Sequence, residues 1–199
     1  MKKIFFKIII FTFILLISTN CGGSKGPDLS PDASRKTLSN LPSWFMDIPR
    51  NDGFRYETST ATSQDIQMAI NKASLDASNK LAGQVKSEMN GLIKRVQEET
   101  GLGEGSNVID QFSQTQEQVI ATSLQDWKIA KKEIQEEKSS SGKIYRAYVL
   151  VEWDEGAAQK RLLEKIKSDE EVYTAIRATE LYEEMEEKVD KYCERYGCD

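Results

Sequence analysis

The sequence predicts an α+β fold: a strand, a long helix and a hairpin build a small antiparallel sheet packed by helices, with a long C-terminal helix. Three patterns carry this prediction. Residues 54–61 alternate large with small or polar side chains, as a short strand does. Residues 66–96 place apolar side chains three and four positions apart, as an amphipathic helix does. Two further runs flank a turn at residues 139–142, which is typical of a hairpin.

The long helix has the most extended helical pattern in the chain. It follows Ser63 and ends near Gly101, because glycine adopts the left-handed conformation that closes many helices. Several alanines on its apolar face would let it lie close against a sheet. That face consists of Ile66, Ala69, Ile70, Ala73, Ala77, Leu81, Val85, Met89, Leu92 and Val96. A second helical stretch follows Ser106, which is a suitable N-cap residue.

The two strands of the hairpin differ in regularity. The first lies within residues 124–136, where the alternation slips after Ala130 and predicts a β-bulge. The second covers residues 143–153 and is the clearest strand pattern in the chain. Its shared face consists of Tyr145, Ala147, Val149, Val151 and Trp153.

The C-terminal segment, residues 154–197, is predicted to be helical with Asp154 as its cap. Residues 168–171 form a second capping box, so the helix kinks or restarts there. Beyond it runs a narrow, coiled-coil-like seam of Ala175, Ala178, Tyr182, Met185, Val189, Tyr192 and Tyr196. This seam either packs on its own domain or associates with a second copy or another protein. The candidate association residues are Tyr182, Met185, Val189 and Tyr192.

The N-terminal residues have the pattern of an export signal. Lys2, Lys3 and Lys7 precede an apolar run over residues 8–17. A basic start followed by about 7–15 apolar residues is typical of a secretory signal, whereas a membrane-spanning helix needs about 20. The sequence therefore predicts export.

The residues that precede Cys21 resemble the lipobox of bacterial lipoproteins. The resemblance implies a signal peptide over residues 1–20, a diacylglyceryl group on Cys21 and acylation of the new amine. Ser18 and Asn20 stand where the usual motif has leucine and a small residue. The alternative is an ordinary signal peptide with an incidental cysteine. Two or three acyl chains would anchor the protein stably in a membrane, which a single chain does not.

Residues 21–43 are predicted to be a flexible tether, because they contain almost no large apolar side chains. Gly, Ser, Asp and Asn dominate, together with Pro27, Pro31 and Pro42. The tether ends at residues 44–48, where four of five side chains are large and apolar. We interpret this short segment as packed on the domain surface. The alternative is an exposed aromatic docking patch.

Composition excludes several classes of function. The 199 residues include no histidine, which excludes Ser-His-Asp and Cys-His catalysis and imidazole metal sites. Three cysteines are too few for a four-cysteine zinc site. The net charge of −5 makes nucleic acid an unsuitable partner. Removal of residues 1–20 deletes three lysines and gives −8, of which −7 lies in residues 169–199.

Cys193 and Cys198 remain after lipidation of Cys21 and are predicted to form a disulfide in an oxidising compartment. Gly197 would let the chain fold back so that the two sulfurs meet. A redox role is disfavoured, because the spacing is not Cys-x-x-Cys and the acidic neighbours raise the pKa of a thiol.

Taken with the lipobox and the tether, residues 42–49, 65–82 and 143–151 resemble the Lpp-twenty family of bacterial lipoproteins. The helix signature consists of Asp65, Met68, Ala69, Ala73, Ala77 and the triplet Lys80-Leu81-Ala82. The resemblance covers about residues 42–160. It implies a small α+β domain without established catalysis, in a family of surface or outer-membrane proteins. Some of its members are implicated in flagellar-associated structures, and others are surface antigens.

These features predict a lipid-anchored, non-enzymatic interaction module of the bacterial cell envelope, at the outer membrane. The predicted parts are the signal peptide, the tether, an Lpp-twenty-like domain over residues 44–153 and an acidic helical extension over residues 154–199. The expected partners are the membrane and either a protein or a second copy, and we expect no cofactor and no metal. The alternative is a periplasmic small-ligand binder or an enzyme that uses carboxylates.

Overall fold

The computed structural model describes residues 40–139 and 142–198, which form a three-stranded sheet and several helices. In chain order the elements are α1 Ser43–Met46, β1 Phe54–Ser63, α2 Ile66–Thr100, α3 Asn107–Ser123, a 3-10 turn Leu124–Asp126, β2 Lys128–Ser139, β3 Gly142–Asp154, α4 Glu155–Ser168, α5 Glu170–Ile176 and α6 Glu180–Tyr196. The predicted α+β class, with its sheet and long C-terminal helix, is confirmed.

The sheet has β3 at its centre and β1 and β2 on either side, both antiparallel to β3. Phe54 pairs with Asp154 at one end of β1, and Ser63 pairs with Tyr145 at the other. The register of β2 shifts between Ile129 and Lys131, which is the predicted bulge. Within this sheet β1 and β2 are therefore the two edge strands.

One face of the sheet is covered by α2. Ala69, Ala73 and Ala77 are fully buried and bring the helix close to the strands, as the sequence predicts. The packed residues include Ala69, Ile70, Ala73, Ala77, Leu81, Val85, Ala147, Val149, Val151 and Trp153. Asp65 caps the start of α2 by accepting a hydrogen bond from Met68 N, and Gly101 closes its end in the left-handed conformation.

The opposite face of the sheet is covered in part by the segment that leads into β1. The Phe45 ring meets Tyr148 edge-on, with centroids 5.1 Å apart, and Pro42 is buried. Met46 and Ile48 stay exposed. The structure therefore favours the packed interpretation for Pro42 and Phe45. The folded unit begins before residue 43, and residues 21–39 of the predicted tether lie outside the described residues.

A second hydrophobic cluster joins the C-terminal half of α2 to the helices that follow. It includes Val96, Ile109, Phe112, Leu162, Ile166, Val172, Ile176, Leu181, Met185 and Val189. The predicted boundary at residue 154 does not separate two units, because α4, α5 and α6 complete this cluster. The C-terminal segment is part of the same folded unit as the sheet rather than an extension of it.

Residues 154–198 form three helices where the sequence predicts one helix with a single kink or restart. Asp154, Asp169 and Thr179 cap these helices, each accepting a hydrogen bond from the backbone N–H three residues later. The restart at residue 169 agrees with the predicted capping box. The break before Thr179 is not predicted, since the apolar seam runs through it without interruption.

Candidate functional site

The seam of α6 lies inside the folded unit. Tyr182, Met185 and Val189 are 3%, 8% and 6% exposed and pack in the cluster formed with α2 to α5. Side chains buried to this extent cannot form an association surface in this fold. At these three residues the seam is therefore an intramolecular packing surface, which agrees with the first of the two hypotheses drawn from its spacing, whereas Ala178 and Tyr196 remain exposed.

The Tyr182 hydroxyl is held at the border of this cluster. It donates a hydrogen bond to Glu186 Oε1 at 3.1 Å, and Lys167 Nζ lies 2.7 Å from the same oxygen. Burial, and then the hydrogen bond to Glu186, raise the pKa of Tyr182 to about 12. These contacts bind α6 to α4 and leave the phenol neutral.

Tyr192, the fourth predicted association residue, is a steric clamp between α6 and the junction of β3 with α4. A Cβ atom at Gly156 would stand 2.1 Å from the Tyr192 ring, and one at Gly53 would stand 2.6 Å from it. The backbone N–H of Gly156 donates to the carbonyl oxygen of Gly53 at 2.8 Å, which holds the two glycines together. Only residues without a side chain leave room for the ring here.

The hydroxyl of Tyr192 fixes the position of its ring. It donates to Asp154 Oδ2 at 2.9 Å, while Asp154 Oδ1 accepts from the backbone N–H of Ala157. Burial, and then the hydrogen bond to Asp154, raise the pKa of Tyr192 to about 12. One carboxylate thus caps α4 and orients the C-terminal helix.

A C-terminal groove of about 720 Å³ lies beside this clamp, between α6 and the start of α4. Its charged lining consists of Asp52, Glu155, Glu194, Lys188, Lys191 and Arg195. Arg195 Nη1 lies 2.7 Å from Asp52 Oδ2. Three acidic and three basic side chains line the groove, so its net charge favours neither anionic nor cationic ligands.

Cys193 and Cys198 form a disulfide, with Cα atoms 4.9 Å apart. Gly197 lies between them with φ of 78°, so the chain turns back at the glycine expected from the sequence. The carbonyl oxygen of Cys198 accepts a hydrogen bond from Lys160 Nζ at 2.8 Å. The disulfide and this hydrogen bond therefore hold the C-terminal end of α6 against α4.

Arg55 is the centre of a half-buried ion-pair network on the sheet face that carries α2. Its guanidinium forms two hydrogen bonds with Glu88 of α2 and two with Glu155 of α4. Burial lowers the pKa of Arg55, but the bonds to Glu88 and Glu155 outweigh it and hold the pKa above its usual value. The acids are engaged by a permanent cation, so this cluster holds β1, α2 and α4 together.

The outer edge of β2 is the second exposed feature with a distinctive charge pattern. Lys131 and Lys132 are exposed and form no ion pair within the described part of the chain. Ile134 is 37% exposed beside them. From the sequence, this strand is predicted only as half of a hairpin. The order of charges along residues 131–137 is a further signal, since both lysines precede Ile134 whereas Glu136 and Glu137 follow it.

Two kinds of site are absent from the described residues. No group of three or more histidine, cysteine or acidic side chains there is placed to hold a metal ion. No helix within residues 40–139 and 142–198 is long and apolar enough to cross a membrane. Cys21, the predicted lipid attachment residue, lies outside the described residues.

Comparison with known proteins returned no relative: no family model, curated protein or solved structure matches the chain. The resemblance to the Lpp-twenty family stays a prediction from the residues quoted above.

Proposed function

We propose that this protein is a lipid-anchored, non-enzymatic interaction module of the bacterial cell envelope, of the Lpp-twenty type and held at the outer membrane. The observation that carries the proposal is Cys21, placed directly after a basic and apolar export signal. The folded unit begins at about residue 40, so roughly twenty residues separate the acylated cysteine from the domain.

The interior of the domain supports a structural role over a catalytic one. A carboxylate-based enzyme needs paired acids in a cleft that separates their pKa values. The buried polar side chains of the described residues are Ser59, Ser74, Gln116, Ser123 and Thr179. None of these is a carboxylate. The half-buried acids Glu155 and Glu152 each form an ion pair, with Arg55 and Lys128 respectively.

Lipid attachment is tested by growing cells that express the full chain with an alkyne-bearing fatty acid. We expect the label on the wild-type protein and its loss in Cys21→Ala. A matched control, the double variant Cys193→Ala and Cys198→Ala, removes the other two cysteines and should keep the label. Labelling that persists in Cys21→Ala, or a wild-type protein without label, would refute the proposal.

The ligand-binding alternative makes a different prediction. A periplasmic binder would use the C-terminal groove, where Lys188 and Lys191 of α6 face Glu155 of α4. Screening the full chain with small zwitterions, using thermal unfolding as the readout, tests it. A raised midpoint that disappears in Lys188→Ala would favour the binder over the module proposed here.

A further inference from the structure

β2 offers an unpaired edge to solvent in the sheet of the described residues. The strand pairs with β3 along one side, and the sheet order places no strand on its other side. A free edge carries a row of backbone N–H and C=O groups that can pair with another strand. After the bulge, residues 131–139 run in regular register with β3, so this part of β2 is straight enough to accept a partner.

The order of charges along this edge is complementary to the same order read in the opposite direction. Residues 131–137 read Lys-Lys-Glu-Ile-Gln-Glu-Glu, with Ile134 at the centre. We propose that the partner of the β2 edge is a second copy of this chain, paired antiparallel about a two-fold axis at Ile134. In this register Lys131 faces Glu137 and Lys132 faces Glu136 of the other copy. Each dimer therefore contains two pairs of each kind.

Neighbouring registers have fewer attractive pairs. A shift of one residue in one direction keeps Lys131 against Glu136, but it sets Ile134 against Glu133 and Lys132 against Gln135. A shift in the other direction sets Lys131 against Lys138 and Glu133 against Glu136, which are like charges. Opposed side chains of antiparallel strands have Cβ atoms about 4.5–5.5 Å apart, where like charges destabilise pairing. Charge thus selects the register centred on Ile134.

The exposure of these side chains agrees with an interface. Lys131 and Lys132 are exposed cations without an ion pair among the described residues. Glu136 and Glu137 already contact Lys143 and Arg146 of their own chain, yet their side chains remain 43% and 36% exposed and can each accept a second cation. Ile134 points to the α2 side of the sheet, where it pairs with Ala147, and a second Ile134 would cover it.

The resulting dimer is closed. Because the same edge of both copies is used, the pairing is isologous and stops at two chains. The sheets join into one of six strands, with α2 of each copy on the same face. Lysines on an edge strand ordinarily discourage pairing. In this register each lysine meets a glutamate, so the same charges select one partner.

Position-specific cross-linking in intact cells tests the proposal with the full chain. Ile134→Cys places a thiol on the two-fold axis, and mild oxidation should give a disulfide-linked dimer on a non-reducing gel. The matched control is Thr60→Cys on the other edge strand, which is also exposed and should remain monomeric. The wild-type chain gives the background from its three native cysteines.

Charge reversal tests the register. Lys132→Glu in the Ile134→Cys background should lower the cross-linked fraction several-fold, because two attractive pairs become repulsive. Adding Glu136→Lys should restore it, since the pair is then rebuilt with its signs exchanged. Lys86→Glu makes an equal change of charge at an exposed position of α2 and should not alter the cross-linked fraction.

Three outcomes would overturn the proposal. Without cross-linking of Ile134→Cys, the edge is free or is covered by another occupant. Equal cross-linking of Ile134→Cys and Thr60→Cys would indicate random collision. Failure of Glu136→Lys to restore the dimer would exclude this register. The proposal does not rest on lipid attachment, so its failure is distinct from that of the proposed function.

Discussion

The ring of Tyr192 occupies the space in which any residue other than glycine at position 156 would place its side chain. Gly156 is the second residue of α4, which follows β3 directly, and Tyr192 lies near the end of α6. The two residues therefore add a close contact between the C-terminal helix and the start of α4 to the apolar packing of α6 in the second cluster. The contact explains how a strongly acidic helix, with its apolar seam buried, becomes a fixed part of the domain.

The first prediction concerns this contact. In Gly156→Ala the new Cβ atom would lie 2.1 Å from the Tyr192 ring, whose hydroxyl is held by Asp154. The ring must move and its hydrogen bond must lengthen. We expect the free energy of unfolding to fall by about 1–3 kcal/mol, as in other overpacked sites. Urea unfolding of the two proteins measures the difference.

Gly91→Ala is the matched control for that change. Gly91 lies within α2, and a Cβ atom there would meet nothing within 4 Å. Because alanine is favoured over glycine inside helices, this variant should be more stable by about 0.5–1 kcal/mol. If Gly156→Ala were as stable as the wild type, the clamp would not exist.

The second prediction is a loss of stability at alkaline pH. A tyrosine whose pKa rises from 10.0 to about 12 on folding stabilises the folded state fully below pH 10. That contribution is lost as the pH rises towards 12, because the unfolded state releases its proton first. Tyr192→Phe should therefore show a smaller fall in unfolding free energy between these pH values. Tyr182 should retain its own part of the fall.

Urea unfolding at several pH values between 9 and 12 measures this dependence, and phenolate absorbance reports the titration directly. At neutral pH, loss of the bond to Asp154 should lower stability by about 1 kcal/mol. Parallel pH profiles of Tyr192→Phe and the wild type would show that Tyr192 ionises normally in the folded protein. That result would contradict the described environment of its hydroxyl.

The third prediction concerns Gln116, which is 0% exposed in α3. Neither of its amide atoms has a hydrogen-bond partner among the described residues. A buried polar group without a partner destabilises a protein by about 1–3 kcal/mol. Gln116→Met keeps a similar shape without that penalty and should raise the midpoint of thermal unfolding.

Gln114→Met on the exposed face of the same helix controls for the change in helix propensity and should be nearly neutral. A fall in stability for Gln116→Met, with Gln114→Met unchanged, would mean that the Gln116 amide is hydrogen-bonded in solution.

The fourth prediction concerns Arg55. The side chains of Arg55 and Glu155 are only 17% and 23% exposed, and Arg55→Met leaves Glu155 without its cation. We expect a loss of about 1–3 kcal/mol, because hydrogen bonds to charged groups are lost and a carboxylate remains half-buried. Chemical denaturation measures the loss.

Lys80→Met tests whether ion pairs in general matter in this protein. Lys80 and Asp76 form an ion pair on the surface, where each side chain is at least half exposed. Such surface pairs contribute little to the free energy of unfolding. Equal effects of Lys80→Met and Arg55→Met would contradict the special role of the network that joins β1, α2 and α4.

The fold class followed from the sequence because periodicity reports burial directly. The alanine face of α2 and the alternation of β3 each require one particular partner surface, and the two surfaces face each other. The bulge near Ala130 was predicted for the same reason, since a slip in alternation is a slip in register.

The spacing of the α6 seam could not show whether it packs within its own chain or against another protein. A seam of Tyr182, Met185 and Val189 has the same appearance whether it meets a second copy or its own α2 and α4. Two glycines far apart in sequence, Gly53 and Gly156, provide the space that receives Tyr192. Such long-range steric matches leave no local signal, so the sequence could not separate the two hypotheses.

Among the candidate site residues, Cys193 and Cys198 were accessible to sequence reasoning because five positions and an intervening glycine constrain where the sulfurs can go. The structure joins them. The β2 edge was open to the same reasoning, since its charges are ordered around Ile134. It was missed because the strand was considered only together with its hairpin partner.

We propose above that Cys21 carries the lipid that holds this domain at the membrane. The most direct measurement is the intact mass of the full-length gene product after extraction from membranes with detergent. We expect a chain that begins at Cys21, with the mass of a diacylglyceryl group and an amide-linked acyl chain added. A chain that retains residues 1–20, or one that begins elsewhere with an unmodified Cys21, would contradict it.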